Sequence, residues 1–160
     1  MTVLIPTDFS IDSIQVLKSY LKQNPNTKPL KVVFGAGFDI GNSIHNLMFY
    51  SKNKIHKKLQ IEAFENALDI IRNKYSNSIE TIEISFFTGW NQASFNHFLE
   101  GNKIEDIIYA QDGILKSNNK NWFDITPRLK NCKLHKTTVE TEYVNESEKE
   151  YHSFSPLFSN

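Results

Sequence analysis

The chain has 160 residues, a length that suits one domain able to bury roughly 70% of the surface that its unfolded form exposes. Its 18 basic and 18 acidic residues give a formal net charge of zero, which argues against a nucleic-acid-binding surface, and its single cysteine, Cys132, excludes an intramolecular disulfide. Residues 1–8 lack a signal-peptide pattern and no stretch approaches the roughly 20 apolar residues of a membrane span, so we expect a cytoplasmic protein that does not bind membranes.

The first half of the chain predicts two strands and two helices. Val3-Leu4-Ile5 is a short apolar run of the kind found in strands buried on both faces, and Ser10 is placed to cap the helix that follows. A second strand is predicted from Leu30 to Phe34. The glycines of 35–37 predict a loop after it. Two adjacent apolar rows predict a long helix from about Lys54 to Tyr75.

The segment 38–54 is ambiguous, although Ile44, Leu47 and Met48 are spaced for a short helix. The lysine-rich run from Lys52 to Lys58 follows it. That run is either a phosphate-contacting patch or the solvated start of the long helix, and the second interpretation is the commoner one.

The second half continues the alternation. It predicts a strand from Ile79 to Phe87, a helix capped by Asn91 and ending at Gly101, a strand from Ile104 to Ala110, a last helix within Trp122–Asn131 that Pro127 keeps short, and an edge strand from Lys133 to Thr141. This order predicts an α/β, Rossmann-like fold with an open five-stranded parallel sheet and helices on both faces. We predict one domain over residues 1–141 and a tail over 142–160.

The opening segment, Val3-Leu4-Ile5-Pro6-Thr7-Asp8-Phe9-Ser10, resembles the first strand and turn of the universal stress proteins. The segment from Ile104 to Tyr109, where acidic residues precede an apolar run, resembles the family's fourth strand. The resemblance covers roughly residues 1–140 by element order and length. It implies a homodimer formed along the last strand. The polar sequence of that strand in this chain puts the usual apolar contact in doubt.

The resemblance also implies an adenine-nucleotide pocket. Pro6 and Asp8 match family positions at the adenine and ribose end, Ala36 stands about where a residue after the second strand lines the pocket, and Ala110 ends the fourth strand. The location agrees with a general rule, because ligands of open α/β sheets bind beyond the carboxyl ends of the strands where the strand order reverses. Asp8 can equally serve as a brace for its own turn.

The phosphate-binding glycines of the family are missing. The matching positions read Gln111, Ile114, Asp124 and Ile125, and Gly113 is one place out of register. Glycines let a backbone approach a triphosphate closely, whereas an aspartate repels it. We therefore expect that ATP binding of the family's usual kind is lost.

Other patterns predict no site. Residues 35–41 have one residue too many for a dinucleotide fingerprint. The histidines lack metal-ligand spacing, and Cys132 lacks a catalytic signature and is expected to be buried. Trp90 and Trp122 are expected to pack in or beside the core.

Three functions remain open. The first is a non-enzymatic, stress-related regulatory domain that acts through a homodimer or another protein contact, with no cofactor. The second is an adenine-nucleotide sensor, for ATP or AMP, that uses Pro6, Asp8 and Ala36. The third is a cryptic hydrolase, which lacks an evident base or nucleophile to accompany Asp8.

Overall fold

A computed structural model describes residues 1–41, 51–59 and 61–141 of the chain. Strands and helices follow one another in the order β1 (Thr2–Pro6), α1 (Ile11–Gln23), β2 (Leu30–Phe38), α2 (Lys52–Leu59), α3 (Glu62–Lys74), β3 (Ile79–Phe87), α4 (Gln92–Gly101), β4 (Asp106–Ala110), β5 (Trp122–Phe123), α5 (Thr126–Leu129) and β6 (His135–Val139). The possible short helix at Ile44, Leu47 and Met48 and the predicted tail lie outside the described residues.

Five of the strands form a parallel sheet in the order β3-β2-β1-β4-β6. The predicted α/β class and the open parallel sheet are therefore confirmed, with the two-residue β5 added antiparallel to the end of β2. The chain builds the sheet outward from β1 through β2 to β3, and then returns to place β4 and β6 on the other side of β1. The strand order thus reverses between β1 and β4.

Side chains of each strand alternate between two apolar clusters, one on each face of the sheet. Val3 and Ile5 of β1 belong to the cluster that α1, α2 and α3 cover, and Leu4 belongs to the cluster that α4 and α5 cover. Full burial of each such side chain stabilises the fold by about 1.5–3 kcal/mol. The predicted helices on both faces are confirmed.

The glycines of 35–37 do not form the predicted loop, because β2 continues through them to Phe38. Their role is close packing. A Cβ added to Gly35 would lie 2.6 Å from Leu4 Cδ1, and one added to Gly37 would collide with the ring of Phe123. Glycine occurs here because neighbouring side chains fill the space, and the backbone needs no turn.

The predicted helix from Lys54 to Tyr75 is divided into α2 and α3. Leu59 and Ile61 are both buried, at 7% and 2% exposure. Two residues of one straight helix that are two positions apart point roughly 160° away from each other, so a continuous helix would expose one of them. The division lets both reach the core. The lysines of α2 are exposed, as the solvated-helix interpretation predicts.

The last helix is shorter than the predicted segment from Trp122 to Asn131. Trp122 and Phe123 pair with the end of β2 as β5, and only Thr126–Leu129 is helical. Pro127 lies in the first turn of α5, where its missing N–H breaks no helical hydrogen bond.

Candidate functional site

A cleft of about 380 Å³ opens at the carboxyl ends of β1 and β4, where the strand order reverses. We call it the switch-point cleft. Its wall includes Pro6, Asp8, Ala110, Gln111, Ile114 and Lys130.

Three of the four predicted pocket residues meet in this cleft. Pro6 and Asp8 follow β1, and Ala110 ends β4 on the opposite wall. Ala36 does not join them. It is 1% exposed within β2, and the strand continues past it to Phe38.

The Asp8 carboxylate is already engaged on both oxygens. Its Oδ1 accepts hydrogen bonds from Ser10 N at 2.9 Å and Ser13 Oγ at 3.3 Å, and its Oδ2 accepts one from Lys116 N at 3.0 Å. Two of these bonds brace the turn between β1 and α1. The third ties the turn to a segment 108 residues away. The turn-bracing interpretation of Asp8 therefore has a structural basis.

The same turn holds Phe9 in the left-handed region, at φ 64°. That conformation is uncommon for a bulky residue and persists only when its surroundings fix it. Thr7 Oγ1 accepts a hydrogen bond from Phe9 N at 2.8 Å, and the Phe9 ring packs edge-on against Phe64 of α3, with 5.4 Å between centroids. These contacts hold the turn and keep Asp8 in position.

Residues 111–121, which we call the strap, cross the carboxyl ends of β1 and β2 on the way from β4 to β5. Besides the contact with Asp8, two asparagines attach it to other elements. Asn119 Nδ2 donates to Lys58 O of α2 at 2.8 Å, and Asn121 Nδ2 donates to Asp39 O just after β2 at 3.0 Å. Asp39 N in turn donates to Asn121 O at 2.7 Å. The strap thus bridges three separate parts of the fold.

The first backbone nitrogens of α5 are occupied or lack a proton. Thr126 N donates to Asp124 Oδ1 at 2.8 Å, while Asp124 Oδ2 accepts from Thr126 Oγ1 at 2.8 Å. Pro127 has no N–H, and Arg128 N donates to Ile125 O at 3.0 Å. Ile125 is itself buried in the core. In this arrangement none of these three nitrogens has an N–H left for an anion.

A second, more open cleft of about 1,110 Å³ lies beyond the ends of β2 and β3, and sequence reasoning missed it. Trp90, Trp122 and Arg128 line it. Trp122 packs beside the core, as predicted, but Trp90 is 83% exposed, so its predicted burial is wrong. The Arg128 guanidinium donates to Trp90 O. The position of Trp90 between Gly89 and the helix cap Asn91 was the available signal that it lies in a loop.

A polar cluster that the sequence did not reveal joins β6 to β4. Asp106 is buried, and its carboxylate accepts hydrogen bonds from His135 Nδ1 and Thr137 Oγ1, both at 3.0 Å. Burial, followed by the charge of Asp106, raises the pKa of the Tyr20 hydroxyl on α1. Cys132 is buried nearby in the opposite core cluster, as expected.

The described residues contain neither a cluster of metal ligands nor a helix that could span a membrane. No three metal-ligating side chains come together within residues 1–41, 51–59 and 61–141. No helix in that part of the chain is long and apolar enough to cross a membrane.

No protein-family model and no curated protein sequence matches the chain. Solved structures do. Universal stress protein UspA from Lactobacillus plantarum aligns with a TM-score of 0.52 and 13% identity, covering 88% of this chain and 97% of that one. A universal stress protein family protein from Arabidopsis thaliana with AMP bound gives 0.50 and 10%, covering 93% and 95%. A universal stress protein in complex with cAMP gives 0.50 and 14%, covering 89% and 98%.

This chain has the universal stress protein fold. The fold predicted from the opening motif and the order of elements is therefore confirmed over most of the chain. Within this fold, the strap and α5 both lie between β4 and β6.

Proposed function

We propose that the chain is a non-enzymatic, universal-stress-protein-like regulatory domain that acts through protein contacts, as a homodimer, and that it has lost ATP binding. The observation that carries the proposal is the occupied start of α5. A triphosphate in a site of this kind needs free backbone N–H groups at a helix start. Here the N–H of Thr126 donates to Asp124, Pro127 has no N–H, and the N–H of Arg128 donates to Ile125 O. Asp124 adds a negative charge at the same place.

Backbone geometry supports the outer edge of β6 as the dimer contact. Gln111 N of the strap donates to Val139 O at 3.0 Å, so Val139 directs its backbone groups toward β4. Successive residues of a strand alternate, and Thr138 therefore directs its N–H and C=O outward, away from the sheet. No strand of the described residues pairs with this edge of β6, and an exposed edge strand is a template for pairing with a second copy.

The experiment is light scattering of the full chain with Thr138→Pro and, as a control, Thr138→Val. Proline removes the outward N–H without touching the bonds to β4, whereas valine keeps it. We expect a dimer for the native chain and for Thr138→Val, and a folded monomer for Thr138→Pro. A native chain that is monomeric at all concentrations contradicts the dimer proposal.

A second candidate function is an adenine-nucleotide sensor that needs no phosphate cradle. The switch-point cleft retains Pro6, Asp8 and Ala110, and two proteins of the same fold were solved with AMP or cAMP. Thermal melting against ATP, ADP, AMP and adenosine separates the candidates, because a ligand at a hundred times its Kd stabilises the folded state by about 2.7 kcal/mol. A shift that Asp8→Ala abolishes favours the sensor. Equal melting temperatures with every nucleotide favour the first proposal.

A further inference from the structure

The strap, unlike the strands β1, β2 and β4 beside it, has no buried side chain. None of its residues from Gln111 to Asn121 is buried, and none belongs to either apolar cluster. Its two ends are fixed, since Ala110 is paired in β4 and Trp122 in β5. Segments with few buried apolar contacts open at a much lower free energy than the core. The strap is therefore built to open between fixed ends while the sheet stays intact.

What closes the strap is a small set of hydrogen bonds to other elements. Lys116 N donates to Asp8 Oδ2, Asn119 Nδ2 to Lys58 O, and Asn121 Nδ2 to Asp39 O. Asp8 lies in the turn after β1, Lys58 in α2 and Asp39 just after β2, so the contacts fasten the strap at three places along its length. Each such bond contributes modestly, and losing one raises the open population by roughly fivefold.

The contact with Asp8 links the strap to the switch-point cleft. Asp8 Oδ1 is taken by donors of its own turn, whereas the strap supplies the donor to Oδ2. A carboxylate oxygen can accept two hydrogen bonds, so a ligand group that binds Oδ2 either shares it with the Lys116 N–H or displaces that N–H. Ile114 and Leu115 of the strap also form part of the cleft wall. Opening of the strap and occupation of the cleft are therefore coupled.

We infer that the strap is a latch, which forms one wall of the switch-point cleft, is fastened to Asp8 through its own backbone N–H, and opens as a unit without unfolding the domain. The latch shares only the switch-point cleft with the proposed function, as the place that is regulated, and it does not depend on the dimer. A ligand too large for a cleft of about 380 Å³ would bind only when the strap is open, so its apparent affinity would be reduced in proportion to the open fraction.

Limited trypsin digestion of the full chain tests the latch directly, because Lys116 and Lys120 lie inside the strap. The rate of each cut is followed separately by mass spectrometry. In Asn119→Ala and Asn121→Ala we expect the cuts after Lys116 and Lys120 to be roughly fivefold faster than in the native chain. The double variant should be cut faster still, but the two effects should not simply multiply, because Asn121 N also donates to Asn119 Oδ1. Asn73→Ala is the matched control, since Asn73 is exposed on α3.

Two further measurements separate local opening from global unfolding. Asp8→Asn replaces one carboxylate oxygen with an amide NH2 group, which cannot accept a hydrogen bond from Lys116 N or Ser10 N. This substitution should therefore also accelerate cleavage of the strap. In low urea the strap cuts should be nearly independent of urea, because a local opening exposes little surface. Cuts that accelerate with the full urea dependence of unfolding, or asparagine variants that behave like Asn73→Ala, would overturn the latch. The dimer measured by light scattering is unaffected by either result, so failure of the latch and failure of the proposed function are distinguishable.

Discussion

At the scale of single residues, two glycines with the same chemistry should respond in opposite ways to alanine. Gly37→Ala places a methyl group against the ring of Phe123, and such overpacking costs about 1–3 kcal/mol. Gly101, the last residue of α4, has no heavy atom within 4 Å of the position that a Cβ would take. Gly101→Ala should leave the stability unchanged or raise it by up to about 1 kcal/mol. Urea unfolding measures both.

A double-mutant cycle identifies the cause. If the clash with Phe123 is responsible, Gly37→Ala should cost less than half as much in a Phe123→Ala background as in the native chain. An equal cost in both backgrounds would assign the effect to the backbone of β2 and reject the packing explanation.

Tyr20 gives a second prediction at this scale, for alkaline pH. Burial, with a contribution from Asp106, raises its pKa above the usual value of about 10. As the pH rises past about 10, the unfolded chain therefore releases this proton first and binds fewer protons than the folded chain. Stability then falls with pH, and this contribution is lost as the pH passes the raised folded pKa. Tyr20→Phe should flatten the alkaline decline in urea midpoints. Parallel pH curves for the two proteins would contradict the assignment.

At the scale of elements, the attachment of β6 should depend on the buried carboxylate of β4. Asp106→Ala removes the acceptor for His135 and Thr137, and we expect a loss of roughly 2–3 kcal/mol in unfolding free energy. Thr138→Ala on the outward side of the same strand is the control and should change stability by less than about 0.5 kcal/mol. Hydrogen exchange of the β6 amides should accelerate in Asp106→Ala alone. Equal effects of the two substitutions would show that the polar cluster does not hold the strand.

Elements with a clear period could be predicted from the sequence. The strand predicted at Ile79–Phe87 is β3 residue for residue, because its apolar and polar residues alternate and a glycine follows it. Asn91 caps α4 as predicted, with Ser94 completing a capping box. The glycines of 35–37 misled the prediction, since a glycine that bends the chain and one that admits a neighbouring ring look alike in a sequence.

The candidate site, too, could be predicted from the sequence only in part. The sequence predicted Asp8 and the switch-point cleft beside it. The opening motif and the rule that ligands bind where the strand order reverses agree on that place. The sequence could not reveal that Lys116 binds Asp8 beside the switch-point cleft, since the contact is made by a backbone N–H, which every residue except proline carries. A strap held by main-chain and asparagine contacts leaves no recognisable pattern of side chains.

At the scale of the whole molecule, the end of the domain that the sequence predicts after residue 141 can be tested by truncation. Among the described residues, both apolar clusters draw on side chains between Val3 and Val139, and β6 pairs with β4. A chain of residues 1–141 should therefore keep the urea midpoint of the full chain. If the predicted boundary is right, its m-value should also be unchanged, because the m-value scales with the surface that folding buries.

A shorter chain that ends at Leu134 is the matched comparison. It lacks β6, loses the buried Val139 and leaves the carboxylate of Asp106 without its partners on that strand, so it should be unfolded or destabilised by several kcal/mol. If the chain of residues 1–141 is instead weakened by more than about 1 kcal/mol, a threshold of one to two lost contacts, then residues beyond 141 belong to the folded domain. Equal stability of the full and the 141-residue chains, beside the failure of the shorter one, would place the end of the domain just after β6.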